Sequence, residues 1–349
     1  MNRPIRLAIN GYGRIGRCVL RALYESPMRD HFQIVAINEP ADLASIAYLS
    51  QFDSTHGIFP GKIEQGADCL VVNGKDILVT HAHAPEDVPW ADFGIDLLIE
   101  CSGRYSSRGD IQRFVDAGCP RVLVSHPGNS AQDVDLTVVY GINHGDITGQ
   151  ETIISNASCT TNAVIPILAA LHEAYGISHA FLTTLHSVMN DQPMIDGYHH
   201  ADLRRTRSAM QSIVPVATGL AQGVERLLPQ LTGRVQAKAI RVPILNVSAI
   251  DLMLTFGCDV EARELNALLI ESTNRHPGLL AWSNNPHASI DFNHNPHSAI
   301  IDGSQTRTNG NGFANVFIWF DNEWGFANRM LDVANAWARQ FRPTDARRT

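Results

Sequence analysis

The stretch "IRLAINGYGRIGRCVLRALYES", residues 5–26, joins an apolar run to an amphipathic pattern through a glycine-rich turn. The apolar run is typical of a buried strand, and residues 15–26 have helical spacing. Gly11, Gly13 and Gly16 spell GxGxxG across this junction. The first glycine permits a tight turn, the second lets a pyrophosphate approach the backbone, and the third lets helix and strand pack closely. The alternative is a glycine turn that binds nothing.

Glu39 directly follows the next predicted strand, residues 33–38. This is roughly twenty residues past the glycine turn, where a carboxylate bonds the ribose hydroxyls of a bound dinucleotide. The same carboxylate would repel a 2′-phosphate. We therefore predict NAD as the cofactor in preference to NADP.

Strands and helices alternate in the first part of the chain, which indicates a parallel α/β sheet. The strands are predicted at 5–10, 33–38, 96–101, 121–125 and 137–141, and the helices at 15–26 and 108–117. Longer β-rich runs follow the helix after Cys159, at 179–188, 235–244, 246–256, 297–306 and 313–320, with helices at 260–273 and 325–341. These runs favour a mostly antiparallel sheet with a helix against one face.

Two domains follow from this change of pattern. We predict a Rossmann-type parallel-sheet NAD domain over 1–158, completed by a C-terminal helix at 325–349. An α+β catalytic domain with a mostly antiparallel sheet is predicted over 159–324.

Composition excludes several classes of protein. The 349 residues carry a net charge of −8 without a basic stripe, so nucleic acid is not expected as a partner. No apolar run approaches the roughly 18 residues of a membrane span, and we expect no secretory signal in "MNRPIRLAIN". The six cysteines form no CxxC pair, so we expect a cytoplasmic protein without disulfides. The histidine-rich stretches "GYHHADLRR" and "FNHNPHSA" lack HExxH, and no metal is expected.

Cys159 lies in "SNASCTTNAV", residues 155–164, just before an apolar helical run. Backbone N–H groups and the dipole at a helix start stabilise a thiolate, so Cys159 is a candidate nucleophile. His186, in "TTLHSV", is a candidate proton acceptor. Spacing alone leaves the alternative open that the thiol is a core residue and the histidine a structural one.

Six motifs together resemble the glyceraldehyde-3-phosphate dehydrogenase superfamily over nearly the whole chain. They are "NGYGRIGR", "SNASCTTN", "LHSVMNDQ", "DLRRTRSA", "IRVPILNVSAIDL" and "DNEWGFANRM". The resemblance implies that Cys159 attacks an aldehyde with His186 as its acid/base partner. Hydride then passes to NAD and leaves a thioester for a second nucleophile to cleave. The Cys159 backbone N–H and protonated His186 would stabilise the oxyanion. A homotetramer is also implied, with 187–215 near the neighbouring cofactor site.

The resemblance assigns further residues one by one. Those expected to bind the cofactor are Gly11, Gly13, Arg14, Ile15, Gly16, Glu39, Ser102, Gly103, Ser125 and Asn322. Two anion sites for a sugar phosphate substrate are expected, one from Ser158, Thr160, Arg205, Thr218 and Gly219 and the other from Arg241. Both arginines could instead form structural ion pairs.

Several positions depart from the glycolytic members of that superfamily. Met189 replaces a threonine, Ala163 a second cysteine, Glu39 an aspartate and Phe326 a tyrosine, and His126 stands in "SHP" where "SAP" is usual. These changes resemble the branch that oxidises D-erythrose 4-phosphate to 4-phosphoerythronate, on the route to pyridoxal phosphate, with water cleaving the thioester. The alternatives are a phosphorylating glyceraldehyde-3-phosphate dehydrogenase and an NAD-binding redox sensor without turnover.

Overall fold

The computed structural model describes residues 3–199 and 202–341. Contacts divide the chain into two compact units. The first takes the residues up to Ser158 and those from Ala327 onward, and the second takes Cys159–Phe326. None of the helices in the described ranges is long and apolar enough to cross a membrane.

The first unit is built on a parallel-rich sheet, which confirms the predicted Rossmann-type architecture. Its elements are β1 Ile5–Asn10, α1 Arg14–Glu25, β2 Phe32–Asn38, α2 Leu43–Gln51, β3 Phe52–Asp53, β4 Gly57–Ile58, β5 Ile63–Gln65, β6 Cys69–Val72, β7 Lys75–Thr80, β8 Leu97–Glu100, α3 Arg108–Asp116, β9 Val122–Val124, β10 Leu136–Thr137 and β11 Ile153–Ser155. The strand order is β10-β11-β9-β8-β1-β2-β7-β6-β5. Pairing is parallel from β10 to β7 and antiparallel for β7, β6 and β5.

Central strands of this sheet are buried on both faces, as parallel strands between helices must be. Leu97, Leu98 and Ile99 of β8 are each 0% exposed. On one face, side chains of the strands pack with Trp90 and Phe114. The carboxyl ends of β1 and β8 lie side by side at the place where the strand order changes direction, which is where open α/β sheets bind ligands.

The predicted strand 137–141 is shorter than expected. β10 ends at Thr137. Beyond that point the backbone forms hydrogen bonds with the Asn143 side chain in place of a neighbouring strand. Its Nδ2 donates to the Thr137 carbonyl and its Oδ1 accepts from the Val139 N–H, both at 2.8 Å. Such local side-chain bonds compete with a sheet ladder and turn the chain away.

The second unit contains a mostly antiparallel sheet, and this prediction is also confirmed. Its elements are α4 Cys159–Tyr175, β12 Ile177–His186, β13 Val214–Val216, α5 Leu220–Leu227, β14 Val235–Arg241, β15 Ser248–Phe256, α6 Ala262–Arg275, β16 Leu280–Ser283, β17 Ala299–Thr308 and β18 Phe313–Phe320. The order is β13-β14-β12-β15-β18-β17-β16, with β12–β14 and β16–β17 parallel. Helix α6 contacts α4, β16 and β17.

The last helix, α7, covers Trp324–Phe341. It begins one residue before the predicted helix at 325–341. Of the C-terminal segment 325–349 assigned to the NAD domain, residues 342–349 lie outside the described part of the chain, as does His200 of the histidine-rich stretch.

The glycine turn between β1 and α1 is dictated by close backbone contacts. Gly11 has φ +81°, and an added Cβ would lie 2.4 Å from the Ser102 nitrogen. A Cβ on Gly16 would lie 2.3 Å from the Gly11 carbonyl oxygen. A Cβ on Gly13 would meet no atom within 4 Å. Gly11 and Gly16 are therefore required by packing, whereas Gly13 faces open space.

Gly16→Ala and Gly13→Ala should separate packing from ligand binding. Gly16→Ala forces a methyl against backbone, so we expect a lower thermal midpoint, equivalent to about 1–3 kcal/mol of overpacking. Gly13→Ala should unfold like the parent chain but bind the dinucleotide more weakly. Thermal unfolding without ligand, followed by NAD titration, measures both effects. Parent-like unfolding of Gly16→Ala would contradict the packing role.

Candidate active site

Cys159 is the first residue of α4. Its own backbone N–H and that of Thr160 are directed at the Sγ atom, and the Thr160 hydroxyl lies 3.9 Å from it. Two residues earlier, Ala157 has φ +55°, an unfavourable left-handed conformation for alanine. Strained backbone of this kind is common beside reactive groups. The thiol thus lies at a helix start, as its sequence position predicts.

His186 is the last residue of β12, and its Nε2 lies 3.7 Å from the Cys159 Sγ. Its Nδ1 lies 2.8 Å from the Ser187 carbonyl oxygen. A carbonyl only accepts, so Nδ1 carries the hydrogen and Nε2 of the neutral ring carries a lone pair. That lone pair faces the thiol, so the ring is in the tautomer that accepts a proton from Cys159.

Burial favours the neutral form of both members of the pair. Burial lowers the pKa of His186, and the charge of Arg241 acts in the same direction. Burial also raises the pKa of Cys159, although the Thr160 hydroxyl and the backbone N–H groups oppose the change. Both directions favour a neutral thiol beside a neutral ring, so burial acts against the donors at the helix start.

Asn322 is held in one orientation by two buried hydroxyl groups. Its Oδ1 accepts from the Ser187 Oγ at 3.0 Å and from the Ser248 Oγ at 2.8 Å. The amide NH2 therefore points away from these two serines. Asp321 fixes the adjoining backbone, since its Oδ1 accepts the Trp324 N–H at 2.7 Å.

Arg205 and Arg241 are brought together by one carboxylate, that of Asp191. Arg241 donates from Nη1 to Oδ1 at 2.5 Å and from Nη2 to Oδ2 at 3.2 Å. Arg205 donates from Nη1 to the same Oδ2 at 3.0 Å. Burial acts to raise the pKa of Asp191, but the two guanidinium groups hold it below its usual value. Both arginines thus form ion pairs, which was the alternative to their role in anion sites.

The remaining substrate residues lie at helix starts. Thr160 occupies the first turn of α4, directly after Cys159, and Ser158 precedes it. Gly219 is the N-cap of α5, and the Thr218 hydroxyl accepts the Leu220 N–H at 3.2 Å. Helix α5 packs along α4. Unpaired N–H groups of helix first turns suit an anionic ligand.

Four of the predicted cofactor residues of the first unit line one open cavity, namely Gly11, Gly13, Glu39 and Ser102. The Glu39 Oε2 accepts the Tyr12 N–H at 2.8 Å, which fixes the carboxylate at the end of β2 beside the glycine turn. A carboxylate oxygen has a second lone pair, so a ribose hydroxyl can still donate to it.

The other residues of the first unit that were expected to bind the cofactor lie in or beside the glycine turn and at strand ends. The Arg14 guanidinium forms a bidentate ion pair with Asp53. The part of Arg14 expected to contact a pyrophosphate is therefore its backbone, in the first turn of α1. Ile15 follows it in α1. Gly103 adopts φ +67° beside the cavity-lining Ser102. Ser125 directly follows β9, and its N–H donates at 3.0 Å to the carbonyl of Glu100, the last residue of β8.

Two family models match the chain. "Glyceraldehyde 3-phosphate dehydrogenase, NAD binding domain" matches residues 5–108, and "Glyceraldehyde 3-phosphate dehydrogenase, C-terminal domain" matches residues 158–322. The chain belongs to the glyceraldehyde 3-phosphate dehydrogenase family. It is an NAD-dependent oxidoreductase that acts on a phosphorylated aldehyde.

The residues at the glycine turn suit NAD, the cofactor that the matched N-terminal domain binds. The open side of Gly13 leaves room for a pyrophosphate at the start of α1, and Glu39 is fixed where a ribose would lie. NAD, when bound, supplies the acceptor for a hydride. The residues of the first unit that would hold it are the glycine turn, Glu39 and Ser102.

Asp191, Ser187 and Ser248 were not singled out from the sequence. Asp191 lies within the quoted motif "LHSVMNDQ", and Ser248 within "IRVPILNVSAIDL". Their partners are 50 and 74 residues away along the chain, at Arg241 and Asn322. No local period relates such pairs, and only the motifs themselves could have drawn attention to them.

Protonation of His186 should determine the acidic limb of the profile of kcat/KM against pH. The base must be neutral, and burial lowers its pKa, so the midpoint of kcat/KM against pH should lie below about 6.5. His186→Asn should remove this limb and slow turnover by roughly 10²–10⁴-fold. His179→Asn, on the exposed part of the same strand, is the matched control. An unchanged limb in His186→Asn would exclude the residue as base.

Glu39 should set the cofactor preference. Glu39→Ser removes the charge that repels a 2′-phosphate, so the ratio of kcat/KM for NAD over NADP should fall by at least about tenfold, or about 1.4 kcal/mol. Glu64→Ser, an exposed carboxylate on β5, is the control. Equal efficiency of both cofactors in the parent enzyme would refute the assignment.

Proposed function

We propose that the protein is a D-erythrose-4-phosphate dehydrogenase that forms 4-phosphoerythronate through a Cys159 thioester cleaved by water. The observation that carries the substrate assignment is Met189, where glycolytic relatives have threonine. Its side chain is 47% exposed in the segment between His186 and Arg205. A thioether cannot donate a hydrogen bond to a phosphate, so one anion site lacks a partner. The resemblance to the erythrose branch further assigns the product to the route to pyridoxal phosphate.

Acylation uses the neutral pair described above. As Sγ of Cys159 bonds to the aldehyde carbon, Nε2 of His186 takes the thiol proton. The carbonyl oxygen gains the electron pair, and the Cys159 N–H with the imidazolium N–H stabilises it. Once hydride has left that carbon for the cofactor, His186 holds the proton and a thioester remains on Sγ.

Before deacylation, His186 releases the thiol proton to solvent and becomes neutral again. It then takes a proton from water while the water oxygen adds to the thioester carbon. The carbon–sulfur bond then breaks, and the sulfur leaves with the electron pair. The imidazolium returns its proton to the sulfur, which regenerates the thiol and releases a free acid. Water needs no cation to position it, in contrast to inorganic phosphate.

The alternatives differ in what they need from the site. A phosphorylating enzyme requires a place for inorganic phosphate beside the thioester. A redox sensor requires no base, yet the His186 tautomer and the Asn322 orientation are both arranged for turnover. These two features favour an enzyme over a sensor.

We further infer a homotetramer. Apolar side chains are strongly exposed along the segment 187–215, among them Ile195 at 77%, Leu203 at 83% and Ile213 at 70%. A row of this kind marks a protein interface. Light scattering should give four times 38.3 kDa, and Ile195→Glu should reduce the mass. Ile290→Glu, at a site 73% exposed outside the segment, is the control. A monomer mass in the parent would contradict the inference.

The acceptor separates the proposed function from the glycolytic one. With NAD and D-erythrose 4-phosphate, NADH should form at nearly the same rate with and without phosphate, and the product should be a free acid. Met189→Thr should improve activity on glyceraldehyde 3-phosphate, since a hydrogen bond to a charged group contributes roughly 1.5–3 kcal/mol. A strict phosphate requirement with an acyl phosphate product would reject the proposal.

A further inference from the structure

We propose that Glu100 and His126 form a buried acid–base pair beneath the NAD cavity, and that this pair takes up a proton when the dinucleotide binds. Both are assigned to positioning of the cofactor, and neither to the reaction of the aldehyde. His126 stands in "SHP", where the glycolytic members of the superfamily have alanine, and an alanine cannot form such a pair. The inference concerns cofactor binding alone and does not depend on which sugar phosphate is the substrate.

The carboxylate of Glu100 is buried at the end of β8 with one oxygen unpaired. The residue is 0% exposed. Its Oε1 accepts the Ser102 N–H at 2.8 Å and the Asn10 Nδ2 at 3.1 Å. Its Oε2 has no hydrogen-bond partner among residues 3–199 and 202–341, and it lies 3.8 Å from the His126 Nε2. A buried carboxylate oxygen without a donor is costly, so the imidazole at this distance is the group that can compensate it.

The ring hydrogen of His126 lies on the nitrogen nearest the carboxylate. The Gly128 N–H donates to Nδ1 at 3.1 Å, so Nδ1 carries a lone pair in the neutral ring. Nε2 therefore carries the hydrogen, and this atom is buried without a hydrogen bond to any described residue. The pair then has a net charge of −1. One further proton brings that charge to zero, whichever of the two residues binds it.

Both donors to the Glu100 Oε1 adjoin the glycine turn. Asn10 directly precedes Gly11, and a Cβ on Gly11 would lie 2.4 Å from the Ser102 nitrogen. Asn10 and Ser102 also line the cavity. The carboxylate thus lies behind backbone that adjoins the start of α1, where a pyrophosphate is expected. A bound pyrophosphate repels the negative carboxylate, and protonation of the pair removes this repulsion.

Burial moves both titrations toward mildly acidic pH. It lowers the pKa of His126 from its usual 6.5 and raises the pKa of Glu100 from its usual 4.5. Coupled groups titrate as a pair, so we expect the pair to titrate between about pH 4.5 and 6.5. A nearby anion favours the protonated form and raises the pKa of the pair. NAD should therefore draw a proton from the buffer, and its affinity should rise as pH falls through this window.

Other ionisable groups surround the pair. The Tyr105 carbonyl and the charge of Asp133 both act to raise the pKa of His126, against the effect of burial. A backbone N–H donor lowers the pKa of Asp133, so that carboxylate stays charged. The Cys101 thiol and the Tyr105 phenol keep their protons at acidic pH, because burial raises the pKa of both. On the cavity side lie Glu39, His83 and Arg104.

Calorimetric titration with NAD, in buffers of different ionisation enthalpy, measures the proton directly. Between pH 7.5 and 5.5 the parent should show growing proton uptake, and its dissociation constant for NAD should fall by about three- to tenfold, the scale of one nearby charge. His126→Gln keeps a donor toward Glu100 but cannot bind a proton, so the uptake and the pH dependence should disappear. Glu100→Gln should remove both as well, because burial then keeps the imidazole neutral.

His83→Gln is the matched control, since His83 lines the same cavity but is exposed. It should keep the proton uptake of the parent. The inference is overturned if the parent takes up no proton, or if His126→Gln takes up as much as the parent. A role of His126 in packing alone would give that second result, with NAD weakened equally at every pH. If His126→Gln does not fold, His126→Ala decides: a shifted pH profile supports the inference, and the parent profile contradicts it.

Discussion

The hydrogen bond from Nδ1 of His186 to the Ser187 carbonyl is the constraint on which the chemistry depends. It fixes the tautomer, and the tautomer decides that Nε2 accepts the proton of Cys159, 3.7 Å away. The thiol comes from the start of α4 and the imidazole from the end of β12. The fold of the second unit brings the start of α4 and the end of β12 together.

Ser187 contacts both His186 and the side-chain amide of Asn322. Its carbonyl orients His186, while its hydroxyl donates to the Asn322 Oδ1 alongside Ser248. The backbone preceding Ser248 is strained, since Val247 has φ +65°, a costly conformation for a β-branched residue. His186 and Asn322 are thus positioned by a shared partner, and such support by neighbouring hydrogen bonds is typical of preorganised sites.

The sequence predicts those features that local patterns encode. Strand β18 has the predicted bounds, and α1 differs by one residue, because a strong apolar period defines each. Helix α2 and the antiparallel strands β5–β7 were missed, since several of their apolar side chains, such as Tyr48 and Leu78, are exposed and break the period. The motifs singled out Cys159, but the opposing effects of burial and of the helix start on its pKa depend on the tertiary structure. The Asp191 bridge depends on tertiary contacts for the same reason.

A covalent adduct on Cys159 tests the account most directly. The enzyme should be mixed with NAD and D-erythrose 4-phosphate without phosphate, quenched in acid within milliseconds to seconds, digested and examined by mass spectrometry. The account predicts a transient 4-phosphoerythronyl thioester on the peptide containing Cys159, absent from Cys159→Ser and unaffected in Cys258→Ser, where the thiol is exposed. NADH formation at the parent rate by Cys159→Ser, with no adduct on the parent peptide, would contradict it.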